Sequence, residues 1–183
     1  MEITAGTADG ETIKIEEMPV QIKHKCFIAL FFTIPLLSSC TDENRIWQQN
    51  VTVADCLWNR DTLLKFSIPV EDTVSWYSLS IDLRNRTDYS FQNLYLFLNI
   101  KAPNGNTTAD TLNFMLAYDD GSWTGSGGLF SKYRENTFLY REYIRFPERG
   151  DYSVNIRHGM RKDDLKGISS VGLTLSYSEK LKQ

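Results

Sequence analysis

The chain has 183 residues, 42% of them hydrophobic and 23% charged, with a formal net charge of −3 at pH 7. That length and balance fit one ordinary globular domain, and the lack of a basic stripe excludes a nucleic-acid surface. Aromatic residues reach 13%, mostly Phe and Tyr, which favours strands over helices.

Residues 1–17 carry Glu2, Asp9, Glu11, Glu16 and Glu17 against Lys14 alone. They are acidic where an export signal needs positive charge, so they read as a mis-called start or a disordered extension, with Met18 as the true first residue. Residues 18–39 read as a lipoprotein signal peptide. Lys23 and Lys25 supply the positive region, and Cys26 to Leu37 form an apolar core too short for the ~20 residues of a spanning helix. Leu37-Ser38-Ser39-Cys40 closes the segment. It is similar to a lipobox, in which an apolar residue and two small ones precede a cysteine that is acylated before cleavage. Cys40 is therefore the expected lipidation site. Several acyl chains anchor stably, since each buried methylene is worth ~0.8 kcal/mol and one chain alone is marginal.

Residues 40–49 are expected to be the lipidated cysteine and its tether. Asp42 and Glu43 fit either a solvated linker or the acidic export signal of some surface lipoproteins. A single all-β domain is expected over 50–178, with 179–183 as a tail. Its clearest strands alternate apolar and polar residues: Tyr77 to Leu83, Leu94 to Ile100, Leu112 to Tyr118, Tyr152 to His158 and Val171 to Tyr177. Tyr95 and Phe97 interrupt the alternation of the second, which reads as a strand covered on both faces. Val51–Trp58, Leu63–Pro69 and Tyr140–Phe146 are weaker candidates. Turns fall at Pro103-Asn104-Gly105-Asn106, Asp119-Asp120-Gly121 and Glu148-Arg149-Gly150-Asp151, where Gly and Asn accept positive φ. About eight short strands separated by such turns predict a single β-sandwich with jelly-roll-like order. Cys56, among Val51, Val53, Leu57 and Trp58, has no partner for a disulfide and reads as an inert, packed thiol.

Chemistry is harder to find. His158 is the one histidine after Cys40 and continues the inward row of its strand, and no nucleophile motif accompanies it. Catalytic residues, metal ligands and cofactor-binding residues are therefore all expected to be none. The acidic pairs Glu71-Asp72, Asp119-Asp120 and Asp163-Asp164 sit in polar turns rather than across a cleft, unlike glycosidase carboxylates. The glycine-rich run from Gly121 to Gly128 lacks the ending of a phosphate loop. It could display Trp123 to a sugar ring or fold that ring onto the sandwich edge. The stretch from His158 to Ile168 reads as a charged connection in which Arg161 and Lys162 form a solvated loop or a docking rim. Trp123, Arg161 and Lys162 are the candidate contacts to a partner or glycan.

Leu83-Arg84-Asn85-Arg86-Thr87-Asp88-Tyr89 followed by Asn93-Leu94-Tyr95-Leu96-Phe97 resembles the core of the GldH gliding-motility lipoproteins. Asp110-Thr111-Leu112, Asp120 to Gly125, Phe146-Pro147, Gly150-Asp151-Tyr152 and His158 to Ile168 ahead of Val171-Gly172-Leu173 extend the likeness, which runs from about Trp47 to Leu175. The resemblance implies an outer-membrane lipoprotein of the cell envelope serving gliding motility and associated protein secretion. It implies no catalytic residues. Its partners would be other envelope lipoproteins or motility and secretion components, with the membrane reached through the lipid; an envelope glycan-binding module is the alternative. Asp61-Thr62-Leu63, Asp72-Thr73-Val74 and Asp110-Thr111-Leu112 are similar to the O-glycosylation sites of exported proteins in that bacterial group.

Overall fold

The computed structural model describes residues 44–128 and 130–178, within the compact unit Asp42–Gln183. The expectations for 1–17, 18–39, Cys40 and 179–183 lie outside the described residues. Ten strands run in chain order: β1 (Arg45–Thr52), β2 (Leu57–Asn59), β3 (Leu64–Val70), β4 (Tyr77–Arg86), β5 (Asn93–Lys101), β6 (Thr107–Met115), β7 (Tyr133–Ile144), β8 (Gly150–His158), β9 (Asp164–Lys166) and β10 (Ile168–Tyr177). All pairings are antiparallel.

Two four-stranded sheets form the sandwich, in the orders β1-β10-β4-β7 and β3-β8-β5-β6, and β2 and β9 make a small ribbon of their own. With that ribbon set aside, consecutive long strands cross between the sheets, except for the β5–β6 hairpin, in the order of a jelly roll, as the strand count and turns suggested. The alternating rows meet between the sheets. Leu79, Ile81 and Leu83 of β4 and Val171, Leu173 and Leu175 of β10 face Phe66, Ile68, Leu94, Leu96, Leu98, Val154 and Ile156, all 2% exposed or less. Fully burying one such side chain is worth roughly 1.5–3 kcal/mol. A one-residue slip of any strand would turn its row into water, so the alternation also fixes the register. At the Pro103–Asn106 turn, Gly105 takes φ +91 and its N–H donates to the carbonyl of Ala102 at 2.9 Å.

Six expectations need correction. Residues 45–49, read as tether, are the start of β1. Trp47 and Val51 pack against the core, but inward-facing Gln49 hides the alternation. Its amide closes the seam between the sheets, donating to the Lys65 carbonyl (3.4 Å) and accepting from Ser67 N–H (3.2 Å). The expected strand Val51–Trp58 is broken by a 3₁₀ turn at Ala54–Cys56, where Asp55 and Cys56 both have φ 53. Cys56 there is unpaired and half-buried rather than fully packed. The strand predicted at 112–118 starts earlier, at Thr107, and ends at Met115. The weak candidate at 140–146 is the end of β7, which runs from Tyr133, and the register with β4 shifts near Leu79. Finally, β5 is covered on one face only: Tyr95 and Phe97 are 40% and 39% exposed.

Candidate functional site

The outer faces of the two sheets differ. On β1-β10-β4-β7 the outward residues Gln48, Asp82, Arg84, Glu135, Thr137 and Thr174 bond among themselves. Asp82 accepts from Thr137 at 2.7 Å and from Gln48 at 3.3 Å, and Arg84 pairs with Glu135 at 3.3 Å. This is a self-satisfied polar surface. On β3-β8-β5-β6, strand register sets Phe97 between Arg157 and Thr111, with Asn155, Asn99 and Ala109 in the next row. Leu63 joins them around a depression of about 440 Å³. The Arg157 guanidinium lies 5.2 Å from the centre of the Phe97 ring. Gly159 lets that ring seat against the backbone, since a Cβ there would stand 2.9 Å from it.

The same strand end leads into the loop carrying Arg161 and Lys162. The sequence reads this loop as solvated, yet its flanks are pinned. Gly159 N–H donates to the Tyr95 carbonyl (2.7 Å), and Tyr95 N–H meets the Met160 sulfur at 3.4 Å. Arg60 N–H donates to the Asp163 carbonyl at 2.7 Å, and Leu165 is buried opposite Trp58 in the β2–β9 ribbon. Arg161 and Lys162 stand exposed between these pins, in no ion pair among the described residues. The flanks of the loop are thus anchored, and the two cations at its tip are exposed.

His158 is 1% exposed, edge-on to Trp58 with ring centres 5.4 Å apart. Neither of its ring nitrogens has a hydrogen-bond partner of ordinary geometry. Burial holds its pKa below the usual value, and nearby Arg60 adds to that, while the backbone of Trp58 and Asp163 and the charge of Asp164 oppose it. The ring is a neutral core element. Trp123 is half-buried and packs against the core, paired by backbone with Ala117.

The acidic pairs have structural tasks. Asp72 accepts from the N–H groups of Val74 (2.7 Å) and Ser75 (3.4 Å), and Asp120 from the N–H (2.9 Å) and hydroxyl (2.6 Å) of Ser122. These bonds hold both carboxyls below the usual carboxylate range. Asp163 pairs with Arg60 at 3.2 Å, and Asp164 accepts from Asn59 at 2.7 Å. Where β6 meets β7, Asp110 accepts from Tyr140 and from Arg141, which lower its pKa, while burial first and that bond second push Tyr140 up to about 12. Among the described residues no group of three or more His, Cys, Asp or Glu is placed to hold a metal.

The surface around Phe97 and Arg157 was not anticipated. The signal lay in the neighbouring strands, whose outward positions read Asn113 and Thr111 on β6 and Asn155 and Arg157 on β8. Such polar rows mark a face open to solvent, and they make Tyr95 and Phe97 exposed rather than doubly buried.

The motifs that carry the resemblance lie where this architecture needs them: Asn85 in the buried end of β4, Thr124 beside it, and Gly167 against Tyr89. A family model described as GldH lipoprotein matches residues 45–175. The gliding motility lipoprotein GldH homolog of Christiangramia forsetii is 35% identical over 155 residues, spanning 81% of this chain and 93% of its own. The gliding motility lipoprotein GldH of Flavobacterium johnsoniae is 32% identical over 151 residues, spanning 79% and 91%. With a match through every long strand of the sandwich and relatives covered almost end to end, this chain belongs to the GldH lipoprotein family.

Proposed function

We propose that this envelope lipoprotein is a non-catalytic component or assembly factor of gliding-motility machinery and its associated protein secretion. In this reading it is held at the outer membrane by lipid on Cys40, and its partners are other envelope lipoproteins or components of that machinery. The observation that carries the reading is the loop of 159–163, whose flanks are fixed by buried groups while Arg161 and Lys162 stand free. The acidic pairs, already used as turn acceptors and ion-pair partners, favour a non-catalytic role. Only five positions separate Cys40 from Arg45, a reach of under ~20 Å even fully extended. Partners would accordingly be met close to the membrane surface.

Crosslinking in intact cells followed by recovery of the lipidated protein tests this reading. Motility, secretion or other envelope lipoproteins should be recovered with the wild type. The double charge reversal Arg161→Glu/Lys162→Glu should reduce that recovery several-fold while changing stability by no more than ~0.5 kcal/mol, as expected for an exposed loop. Undiminished recovery with the double variant would remove the loop from docking. Recovery of no such component by the wild type would overturn the reading itself.

A further inference from the structure

We propose that the outer face of β3-β8-β5-β6 is a binding site for an acidic saccharide, a pyranose bearing a carboxylate, centred on Phe97, Asn99, Asn155 and Arg157. The amides of Asn99 and Asn155 face each other across the β5–β8 pairing and make no side-chain hydrogen bond among the described residues. Among the described residues Arg157 is in no ion pair, and its guanidinium makes a cation–π contact with the Phe97 ring. An apolar ring, two free amides and a free guanidinium thus converge on one depression of about 440 Å³, within the size range of small-ligand sites. A pyranose is their complement: its C–H face packs on an aromatic ring, and its hydroxyls pair with amides that both donate and accept.

The sign of the charge selects an acid. Of the charged residues that strand pairing sets on this face, Lys65, Lys101 and Arg157 are basic, and Asp151 lies at the far end beside Pro69. Asp110 also borders the depression, but Tyr140 and Arg141 occupy its carboxylate on the inner side of β6. Arg157 is the group that would take the sugar carboxylate, through charge-assisted bonds in a planar fork. The opposite sheet face has a depression of similar size, about 410 Å³, but Asp82 and Glu135 line it and both already have partners. It would repel the same ligand. A protein partner is the other occupant that the test below separates from a saccharide.

The test uses the full-length protein purified from membranes in detergent, with polygalacturonate as the acidic probe. Its carboxyl-reduced form is the neutral control, and dextran sulfate is a plain polyanion. The protein should bind polygalacturonate, and the reduced polymer about tenfold more weakly or worse, the worth of one charge-assisted contact. Phe97→Ala and Asn155→Ala should each weaken binding about fivefold or more. Arg157→Gln should bring the acidic polymer down to the affinity of the reduced one. All three positions are surface-facing, and unchanged thermal unfolding would confirm that the variants fold; Asn99→Ala serves if Phe97→Ala does not. Absence of polygalacturonate binding overturns the proposal, as does equal binding to dextran sulfate that Phe97→Ala leaves untouched. If Phe97→Ala instead abolishes the crosslinked protein recovery and no saccharide binds, the face is a protein surface. That last result would spare the motility reading and end this one.

Discussion

Trp58→Ala is expected to destabilise the domain by about 3–5 kcal/mol, the usual cost of deleting a buried aromatic side chain. Trp58 is fully buried, its indole N–H donates to the Thr62 carbonyl at 3.0 Å, and its ring stands against His158 and opposite Leu165. With Leu165 it ties the β2–β9 ribbon, and with it the Arg161–Lys162 loop, to the sandwich core. Set against a typical total of 5–15 kcal/mol, such a loss lowers the unfolding temperature by on the order of 10 °C or more in a domain of this size. Thermal and urea unfolding measure it, and a shift of only a degree or two would show that the ribbon is dispensable. A second readout concerns His158. Its folded pKa is held below the ordinary 6.5, so the unfolded chain binds more protons than the folded one over that window. Stability should therefore fall as the pH drops below about 6.5, and His158→Leu should remove that slope.

Asn85→Leu should cost about 2–3 kcal/mol, through the stranding of buried partners rather than through lost volume. Asn85 is fully buried, and its Oδ1 accepts from Asn136 Nδ2 at 3.5 Å while its own amide donates to the Arg86 carbonyl at 3.1 Å. Thr124 completes the cluster with a hydroxyl 2.9 Å from Asn136 Oδ1. Gly125 lets that loop approach: a Cβ there would lie 2.6 Å from the Glu135 carbonyl oxygen. Removing Asn85 strips the Asn136 NH₂ of its acceptor, while its Oδ1 keeps the Thr124 hydroxyl. The double variant Asn85→Leu/Asn136→Leu should recover part of the loss, because neither half is then stranded. Strict additivity in urea unfolding would show that the two amides are not coupled. The cluster also accounts for two of the stretches that resemble the family. Leu83-Arg84-Asn85 and Trp123-Thr124-Gly125 meet to close the end of β4 against β7, so their spacing serves folding before any contact with a partner.

These cases also show which features were legible in the sequence. Rows such as Leu79-Ile81-Leu83 and Leu94-Leu96-Leu98 announce themselves because their strands sit mid-sheet with one face fully buried. The edge strands β1 and β7 do not. In β1 the inward position at the seam is Gln49, whose amide bonds across to β3 in place of packing, and the alternation disappears from the sequence. In β7 a shifted register and Tyr143 at φ 53 break the period, as bulged edge strands do. The jelly-roll order could be guessed from strand number and turns, but the pairing of β1 with β10 joins opposite ends of the domain and leaves no local trace. The Phe97 face was missed for a related reason. Two aromatics beside a leucine row look like a second core until the neighbouring strands are set beside them.

The central claim is that this domain works from a lipid anchor, and metabolic labelling tests it most directly. Cells expressing the wild-type chain or Cys40→Ser are grown with radioactive palmitate, and the protein is recovered from membrane and soluble fractions. The wild type should carry label and stay with the membrane. Cys40→Ser should carry none and remain as an uncleaved precursor or a soluble protein. Label on Cys40→Ser equal to that of the wild type would contradict the anchor, and with it the placement of the domain beside membrane-bound partners.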